Sequence, residues 1–189
     1  MMQLRTKYLE PKLISQCIMG DPHAYSRLIA HYQQNLLTFL TRMCNDKNQA
    51  EDLFQETLIK VWRNFPKYDH RHKFSAWLFG IARNVAIDAL RKKKVHSVIN
   101  YTDEVPEYSD PHDVAGEVEA EELHNDLLDA INKLPEKQRE IFLLRQHSHM
   151  SFREIAAATN QPLNTVLGHM HYAMTKLKKV LRDYDINEQ

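Results

Sequence analysis

The feature of this sequence that most constrains its fold is a long acidic segment in the middle of the chain. No Lys or Arg occurs between Val95 and Asn132, although the whole chain has 25 basic and 25 acidic residues and no formal net charge. Two prolines interrupt its first half. A proline-containing segment of one charge sign with few apolar residues cannot form a core. We therefore predict a linker at residues 96–119, which separates a first domain at residues 10–95 from a second at residues 120–184.

Both blocks have the sequence pattern of α-helices. In the first block, Asp21 followed by Pro22 is typical of a helix N-terminus, Asp46 can cap another helix, and Pro66 ends it. Between these signals, apolar residues recur at helical spacing. The clearest series in the first block is Phe54, Leu58, Val61, Trp62 and Phe65. With only 4 glycines and 26% charged residues, the composition also favours helices. We predict an all-α protein with two small helical domains.

The second block ends in a predicted helix-turn-helix. Ser151 and Glu154 form the pattern of a capping box, in which each side chain satisfies a backbone donor near the other. A break at residues 159–161 precedes Pro162, which suits the first turn of a final helix. The predicted inward stripe of that helix is Val166, Met170, Ala173, Leu177 and Leu181. In a helix-turn-helix, the second helix lies on DNA.

Several classes of protein are disfavoured by what the sequence lacks. It has no run of about 18 apolar residues and no apolar signal-peptide core, so we expect a cytoplasmic protein without a membrane span. Cys17 and Cys44 lie in apolar helical patterns and are expected to be free thiols. Histidine pairs at i, i+2 do not converge on one helical face, and no catalytic motif occurs. We expect no enzyme activity, cofactor or metal.

A basic run, Arg91 to Lys94, ends the predicted fourth helix of the first block. Such a run can neutralise phosphates and release counterions, which favours contact with nucleic acid. The same helix carries Asn84, whose amide can pair with base edges. The nearby aromatic residues have two interpretations, as platforms for unstacked bases or as core, and the pattern favours core for Trp77. These aromatic residues are Phe74, Trp77 and Phe79.

One face of the predicted third helix is polar and acidic. Asp52, Gln55 and Glu56 have the spacing i, i+3 and i+4, and the opposite face is apolar. An acidic stripe of this kind is usually just solvated. It can also be a docking surface for a basic partner, and by itself the signal is weak.

The order of the segments is more specific than any one of them. The chain contains LISQCIMGDPHAYSRLI, AEDLFQETLIKVW, FSAWLFGIARNVAIDALRKKK, an acidic linker and LPEKQREIFLLRQHSHMSFREIAAATNQPLNTV, in that order. Over residues 10–184 it resembles the extracytoplasmic-function (ECF) sigma factors of bacterial RNA polymerase. The second and third segments carry most of this resemblance, because a helix-turn-helix alone would be unspecific.

The resemblance implies a role for each segment. It implies that Asp52, Gln55 and Glu56 contact the clamp of core RNA polymerase. It implies that the fourth helix, with Arg83, Asn84, Asp88 and Arg91, faces the −10 promoter element. Together with the basic run, the predicted −10 contacts are Arg83, Asn84, Arg91, Lys92, Lys93 and Lys94. The linker resembles the connector that runs through the polymerase, and the second block resembles the −35-binding domain. The implied partners are core RNA polymerase and promoter DNA, and an anti-sigma factor is a further candidate.

One departure from the family pattern falls on the helix that should read DNA. Where the family usually has Lys-Ser-Arg, this chain has Leu167-Gly168-His169, and Tyr172 replaces a later Arg. Between Glu154 and Thr175 there is no Lys or Arg. We predict that this neutral face contacts bases, and that cations at its edges hold phosphates. The predicted −35 contacts are Arg153, Asn164, Thr165, Gly168, His169, Tyr172, Lys176, Lys178 and Lys179.

Alternatives to this interpretation stay open at the level of sequence. The neutral face could bind DNA weakly and depend on the polymerase for affinity, or it could bind a protein. The chain could be a stand-alone helix-turn-helix regulator, which would bind DNA without polymerase. It could also be a sigma-like protein that acts mainly through a regulatory partner.

Overall fold

The computed structural model describes the backbone of residues 2–99 and 118–187, and the side chains of residues 10–95 and 123–182. Within these ranges the regular structure is eight α-helices and one short 3-10 helix, with no strand, which confirms the predicted all-α class. The described residues form two compact units. We call residues 2–99 the N-terminal unit and residues 118–187 the C-terminal unit. Most of the predicted linker, residues 100–117, lies outside the described residues.

The N-terminal unit is a bundle of four helices. They are α1 (Met2–Ile18), α2 (Pro22–Cys44), α3 (Lys47–Asn64) and α4 (Phe74–Ile99). Helix α2 packs against the other three, and α3 also packs against α4. The 3-10 helix, Phe65–Lys67, follows α3 and contains Pro66. Helix α4 extends through residues 96–99, the first part of the segment that was predicted to be linker.

The helix ends in this unit follow from short polar side chains. The Asp21 carboxylate accepts hydrogen bonds from the backbone N–H groups of His23 and Ala24, at 2.8 and 3.2 Å. Asp46 caps α3 by accepting from the Gln49 N–H at 3.0 Å. Helix α2 ends at Asn45, whose φ of 53° is left-handed and is tolerated by asparagine. The two aspartate caps satisfy backbone N–H donors that the start of a helix leaves unpaired, and the Asn45 N–H donates to the Thr41 carbonyl at the end of α2.

One part of the core of the N-terminal unit lies between α2 and α4. Phe39 of α2 and Phe79 of α4 are fully buried and meet edge to face, with ring centroids 5.4 Å apart. Phe74 is also buried, and Trp77 is half-buried against Phe65, Tyr68 and Phe74. The interpretation of Phe74 and Phe79 as stacking platforms for bases is therefore wrong, because their rings are closed off from any ligand.

The C-terminal unit contains α5 (Val118–Asn132), α6 (Glu136–Ser148), α7 (Phe152–Thr159) and α8 (Leu163–Asn187). Helix α8 packs against all three others, and α6 packs against α7. Val166, Ala173 and Leu177 of the predicted inward stripe are buried, and Met170 is half-buried. Leu181 is 41% exposed, so its assignment to the stripe is wrong. It follows the buried Leu177 by one turn, so the helical period places it near the stripe without telling whether other helices cover it there.

Local hydrogen bonds hold the turn between α6 and α7. The predicted capping box is present, because Ser151 Oγ accepts from the Glu154 N–H at 3.3 Å and Glu154 accepts from the Ser151 N–H at 2.6 Å. Arg145 donates to the Met150 carbonyl at 2.6 Å, and its guanidinium lies 5.3 Å from the centre of the Phe152 ring. Helix α7 then ends at Asn160, with a φ of 53°. The contacts before α7 therefore fix where the first helix of the helix-turn-helix begins.

Candidate polymerase and promoter-binding surfaces

Helix α3 presents a polar face to solvent. Its apolar side is buried at Leu53, Phe54 and Val61, and the Thr57 hydroxyl is buried with its hydrogen bond to the Leu53 carbonyl, at 2.7 Å. On the opposite side Asp52, Gln55 and Glu56 are all exposed. The helix therefore brings these three side chains together. We call the surface that they form the α3 face.

An apolar residue of the α3 face was missed at the level of sequence. Ile59 follows Gln55 by four residues and Glu56 by three, so it lies among the polar side chains, and it is 51% exposed. The sequence did contain an indication of its exposure, because Ile59 falls outside the apolar stripe of its own helix. An exposed apolar side chain surrounded by polar groups is the arrangement found at the centre of protein interfaces.

Glu56 already has a partner within its own helix. Lys60, one turn later, places its Nζ 2.7 Å from the Glu56 carboxylate, with 43% and 51% of the two side chains exposed. A partner protein must compete with Lys60 for this carboxylate. Exposed i, i+4 pairs of this kind are weak, about 0.3–0.5 kcal/mol, so the pair does not block docking.

Helix α4 carries the residues predicted to contact −10 DNA. Arg83 is half-buried, and its Nη1 donates to the side-chain oxygen of Asn84 at 3.0 Å. The amide nitrogen of the exposed Asn84 keeps its donor capacity. Arg91, Lys92, Lys93 and Lys94 are all exposed towards the end of the helix. The cations and the amide thus share one helix, and they are separated along its axis.

The start of α4 is held by a cluster of aromatic rings and polar contacts. Phe65 and Phe74 stack with centroids 5.6 Å apart, and Tyr68 lies 5.0 Å from Trp77. In the preceding loop, Arg71 donates hydrogen bonds to Asp69, and these bonds hold the pKa of that carboxyl at about 2. The loop thus has internal contacts that fix where α4 begins.

A second aromatic contact joins the start of α2 to α3. The Tyr25 hydroxyl donates to the Leu58 carbonyl at 2.6 Å, and burial, followed by the nearby Cys17, raises the pKa of Tyr25. The hydroxyl therefore stays protonated as a donor. Trp62 packs edge to face on the Tyr25 ring at 5.0 Å and keeps 36% of its surface exposed. This contact holds the end of α3 and therefore the orientation of the α3 face.

Helix α8 presents the neutral surface that was predicted to read bases. Asn164, Thr165 and Tyr172 are exposed, the last with 61% of its surface accessible, and His169 is half-buried. A Cβ built on Gly168 would meet no atom within 4 Å, so this stretch of backbone is open to a ligand. We call this surface the α8 reading face.

The cations predicted to hold phosphates are exposed in the same unit as the α8 reading face. Arg153 is exposed on α7, and Lys176, Lys178 and Lys179 are exposed on the later turns of α8. In the sequence, Arg153 precedes the uncharged first turns of α8, and the three lysines follow them. A division of labour between base contacts and phosphate contacts is physically consistent with this order.

Metal sites and membrane spans are both absent from the described part of the chain. Within the described side chains, no group of three or more His, Cys, Asp or Glu residues is arranged to hold a metal ion. No helix of the described ranges is both long and apolar enough to cross a membrane.

Comparison with known proteins assigns a family to each unit. The sigma-70 region 2 family matches residues 28–95, and the sigma-70 region 4 family matches residues 124–177. The ECF RNA polymerase sigma factor SigW of Bacillus subtilis is 33% identical over 183 residues, which cover 91% of this chain and 96% of that protein. The ECF RNA polymerase sigma factor RpoE of Cereibacter sphaeroides is 30% identical, with 84% and 87% covered.

Solved structures with the same fold are also found. The sigma factor RpoE of Bartonella quintana, solved with the anti-sigma factor NepR, matches with a TM-score of 0.73 at 23% identity, covering 84% of this chain and 96% of that one. CnrH, solved with the cytosolic domain of CnrY, matches with a TM-score of 0.65 at 22% identity, covering 92% and 97%. At this identity the structures support the fold alone, and the family follows from the sequence matches. The chain therefore belongs to the ECF sigma factors of bacterial RNA polymerase, a class of non-enzymatic transcription initiation factors.

Proposed function

We propose that this protein binds core RNA polymerase, recognises the −35 and −10 promoter elements, and promotes melting of the promoter DNA. One observation supports the proposal most directly. Each predicted contact surface is exposed, and it lies in the unit that matches the sigma family with that role. The α3 face and the cations of α4 belong to the region 2 match, and the α8 reading face belongs to the region 4 match. These partners imply that the protein acts in the cytoplasm.

The α3 face is the proposed polymerase contact. It combines two carboxylates, Asp52 and Glu56, with the amide of Gln55 and the apolar Ile59. Carboxylates favour a cationic partner surface and speed its encounter, while a central apolar side chain contributes most to affinity when it is desolvated.

Helix α4 is the proposed −10 contact. Its four exposed cations, Arg91 to Lys94, suit phosphates, and each phosphate neutralised adds about 0.9 to the salt dependence of binding to duplex DNA. Asn84, supported by Arg83, is the proposed reader of a base edge. Because Phe74 and Phe79 are buried, capture of unstacked bases is assigned to polar side chains and to the half-buried Trp77. Capture of unstacked bases by binding energy requires no ATP.

The helix-turn-helix is the proposed −35 contact. Asn164, Thr165, His169 and Tyr172 would contact base edges from the first turns of α8, where a recognition helix enters the groove. The open backbone at Gly168 permits close approach of DNA. Arg153, Lys176, Lys178 and Lys179 would hold phosphates on either side. The affinity of this weakly charged surface is proposed to depend on simultaneous docking to the polymerase.

An anti-sigma factor is a further proposed partner, because the RpoE relative from Bartonella quintana was solved with one. Such a protein would regulate this chain by covering surfaces that the polymerase or promoter needs.

Reconstituted transcription tests the proposal. Core RNA polymerase with this protein should produce a transcript from its promoters, mapped by binding of the holoenzyme to genomic DNA, and core enzyme alone should not. Asp52→Arg with Glu56→Arg should weaken core binding at least tenfold, because two attractive contacts become repulsive. The matched control is Asp126→Arg with Asp129→Arg, an equal charge change at exposed positions of α5. Full activity of the α3 double variant would refute the docking surface.

Two other functions predict different results. A stand-alone helix-turn-helix regulator would shift promoter DNA equally well with and without core polymerase. A sigma-like protein that acts through a regulatory partner is favoured by the uncharged reading face of α8. It would bind its regulator and yet support no transcript with core enzyme.

A further inference from the structure

A carboxylate of α1 is hydrogen-bonded to a tyrosine of α2. The Tyr32 hydroxyl donates to Glu10 Oε1 at 3.0 Å, and both side chains are half-buried. Glu10 lies before residues 28–95, which the sigma-70 region 2 family matches, and Tyr32 lies within them. The contact therefore joins a residue outside the family match to one inside it.

The direction of this hydrogen bond is fixed by its surroundings. Burial, followed by the charge of Glu10 and the hydrogen bond to it, raises the pKa of Tyr32, so the hydroxyl stays protonated and donates. Hydrogen bonds to a charged acceptor are stronger than neutral ones. Pro11, the next residue of α1, has no N–H to donate within the helix. This part of α1 therefore depends on side-chain contacts such as the one to Tyr32.

The Tyr32 ring extends the contact to the start of α4. Its centroid lies 5.5 Å from that of Phe74, the buried first residue of α4. Phe74 in turn stacks on Phe65 at 5.6 Å and meets Tyr68 edge to face at 5.8 Å. Helix α1 also packs against the 3-10 helix that begins at Phe65. A continuous chain of contacts therefore runs from Glu10 to the first turn of α4.

The same aromatic cluster holds the loop that precedes α4. The Tyr68 hydroxyl donates to the His72 carbonyl across this loop, at 2.5 Å. Burial, followed by the charges of Glu10 and Asp69, raises the pKa of Tyr68, so this hydroxyl also stays a donor. Glu10 thus acts electrostatically on both of the tyrosines that contact Phe74.

A small change at the start of α4 is magnified further along the helix. Asn84 lies about 15 Å from Phe74 along the axis, and Arg91 lies about 25 Å from it, at about 1.5 Å per residue. A tilt of about 5° at Phe74 would move Arg91 sideways by about 2 Å. A shift of that size breaks a hydrogen bond, because donor and acceptor must lie within about 3.2 Å.

We propose that Glu10 is a positioning residue for the −10 contact. Through the Tyr32 hydroxyl it fixes the Tyr32 ring against Phe74, and it thereby sets the position of the preceding loop and the direction of α4. This inference rests on the proposed contact of α4 with −10 DNA. Loss of the hydrogen bond should leave the fold intact and slow the opening of the promoter.

Four variants of the full-length protein test the proposal. Tyr32→Phe keeps the ring and removes only the hydroxyl. Glu10→Leu removes the acceptor, whereas Glu10→Gln keeps an acceptor oxygen without the charge. Tyr25→Phe is the matched control, because it also removes a tertiary hydrogen bond of α2, the one to the Leu58 carbonyl of α3.

Amide hydrogen exchange of the free protein is the first readout. The two variants that lack the hydrogen bond, Tyr32→Phe and Glu10→Leu, should exchange at least threefold faster over residues 68–78, because local opening follows the loss of local contacts. Their exchange in α3 should be unchanged. The control should show the opposite pattern, and Glu10→Gln should stay close to the wild type. Unchanged exchange over residues 68–78 in the two variants would refute the coupling.

The rate of promoter opening by the holoenzyme is the second readout. On duplex DNA the two variants should open the promoter about fivefold more slowly, the factor that one typical hydrogen bond contributes. Where the −10 region is already unpaired, the loss should be smaller, because no cost of unpairing has to be offset by correctly placed contacts. Glu10→Gln should recover most of the rate. A merely structural defect would lower the active fraction equally on both templates, so equal losses would overturn the proposal.

The wild-type protein separates failure of this inference from failure of the proposed function. A wild-type holoenzyme that opens no promoter would refute the −10 assignment itself, and positioning by Glu10 with it. A wild-type holoenzyme that opens promoters no faster than the Tyr32→Phe and Glu10→Leu variants would refute only the positioning. Binding of these two variants to core polymerase should match the wild type, because the α3 face is unchanged.

Discussion

Lys60 holds the carboxylate of Glu56 one helical turn before it, with 2.7 Å between the Lys60 Nζ and the nearer oxygen. One of the two carboxylates on the α3 face is therefore paired in the free protein, and the other, Asp52, is exposed to solvent. Docking of a cationic surface must replace an intramolecular contact at Glu56. At Asp52 the new contact replaces water.

The first prediction concerns this pair. Lys60→Gln should strengthen binding of core polymerase about twofold, because an exposed i, i+4 pair stabilises by about 0.3–0.5 kcal/mol. The measurement is titration of labelled protein with core enzyme at low and moderate salt. Lys47→Gln, at an exposed position of the same helix, is the control for loss of one positive charge. Weaker binding of the Lys60 variant would mean that Lys60 itself contacts the polymerase.

The second prediction concerns phosphate anchoring beside the α8 reading face. Lys176→Ala with Lys178→Ala should lower the slope of log affinity against log salt for holoenzyme on promoter DNA by about 1.8, or about 0.9 for each phosphate that is no longer neutralised. Affinity should fall on all promoters alike, since phosphate contacts carry no sequence information. Lys12→Ala with Lys47→Ala, exposed residues of the N-terminal unit, should leave the slope unchanged. An unaltered slope in the α8 variant would argue against phosphate contacts there.

The third prediction separates stability from binding at Gly168. Gly168→Ala should stabilise α8 by about 1 kcal/mol, because alanine is the better helix former and the added methyl group meets no neighbouring atom. The midpoint of thermal unfolding of the C-terminal unit should rise by about 4–8 °C. Affinity for promoter DNA should fall severalfold, since the methyl group occupies space that the DNA backbone is proposed to enter. Unchanged affinity would place the DNA elsewhere.

The fourth prediction concerns the chemical reactivity of Cys17. Burial, and secondarily the charge of Asp21, raises the pKa of this thiol to about 11, and only 2% of the residue is exposed. At pH 8 the reactive thiolate is therefore about one thousandth of the total, and alkylation should be far slower than in the urea-unfolded chain. Met19→Cys, at a position that is 78% exposed, should react rapidly under the same conditions.

The same pKa shift also sets a dependence of stability on pH. The unfolded thiol ionises near its ordinary pKa of 9.0, and the folded thiol ionises only near 11. The contribution of Cys17 to stability is thus complete below about pH 9 and is lost as the pH rises through about 11. Rapid alkylation of Cys17 in the folded protein at pH 8 would contradict both statements.

The parts of the fold that follow from short-range chemistry were predictable from the sequence. Asp21 and Asp46 begin helices because their side chains reach backbone N–H groups two or three residues away. Ser151 and Glu154 do the same in α7. Such contacts depend on neighbours in sequence, so no knowledge of the tertiary structure was needed to anticipate them.

The misassigned residues have a common physical origin. Leu181 was placed in the core because it is apolar and follows Leu177 by one helical turn, yet 41% of its surface is exposed. Ile59 was passed over because it lies outside the apolar stripe of α3, and that departure is what makes it an exposed part of the face. Whether an apolar side chain at the edge of a stripe is covered depends on the packing of other helices, which periodicity does not contain.

The proposed contact surfaces were also only partly predictable from the sequence. Asp52, Gln55 and Glu56 could be grouped from sequence because one helix fixes their spacing. The pairing of Glu56 with Lys60 and the bond from Arg83 to Asn84 depend on side-chain conformations that sequence leaves open. The contact of Arg145 with the Phe152 ring required the fold of the turn between α6 and α7.

Both tryptophans of the chain lie in the N-terminal unit, Trp62 in the last turn of α3 and Trp77 in the first turn of α4. The helix-turn-helix half contains none. Tryptophan fluorescence will therefore report on the N-terminal unit, which is proposed to contact the polymerase and the −10 element. It will not report local changes on α8. A Tyr172→Trp derivative would supply the missing reporter, so that arrival at the two halves of a promoter could be timed separately in a single stopped-flow experiment.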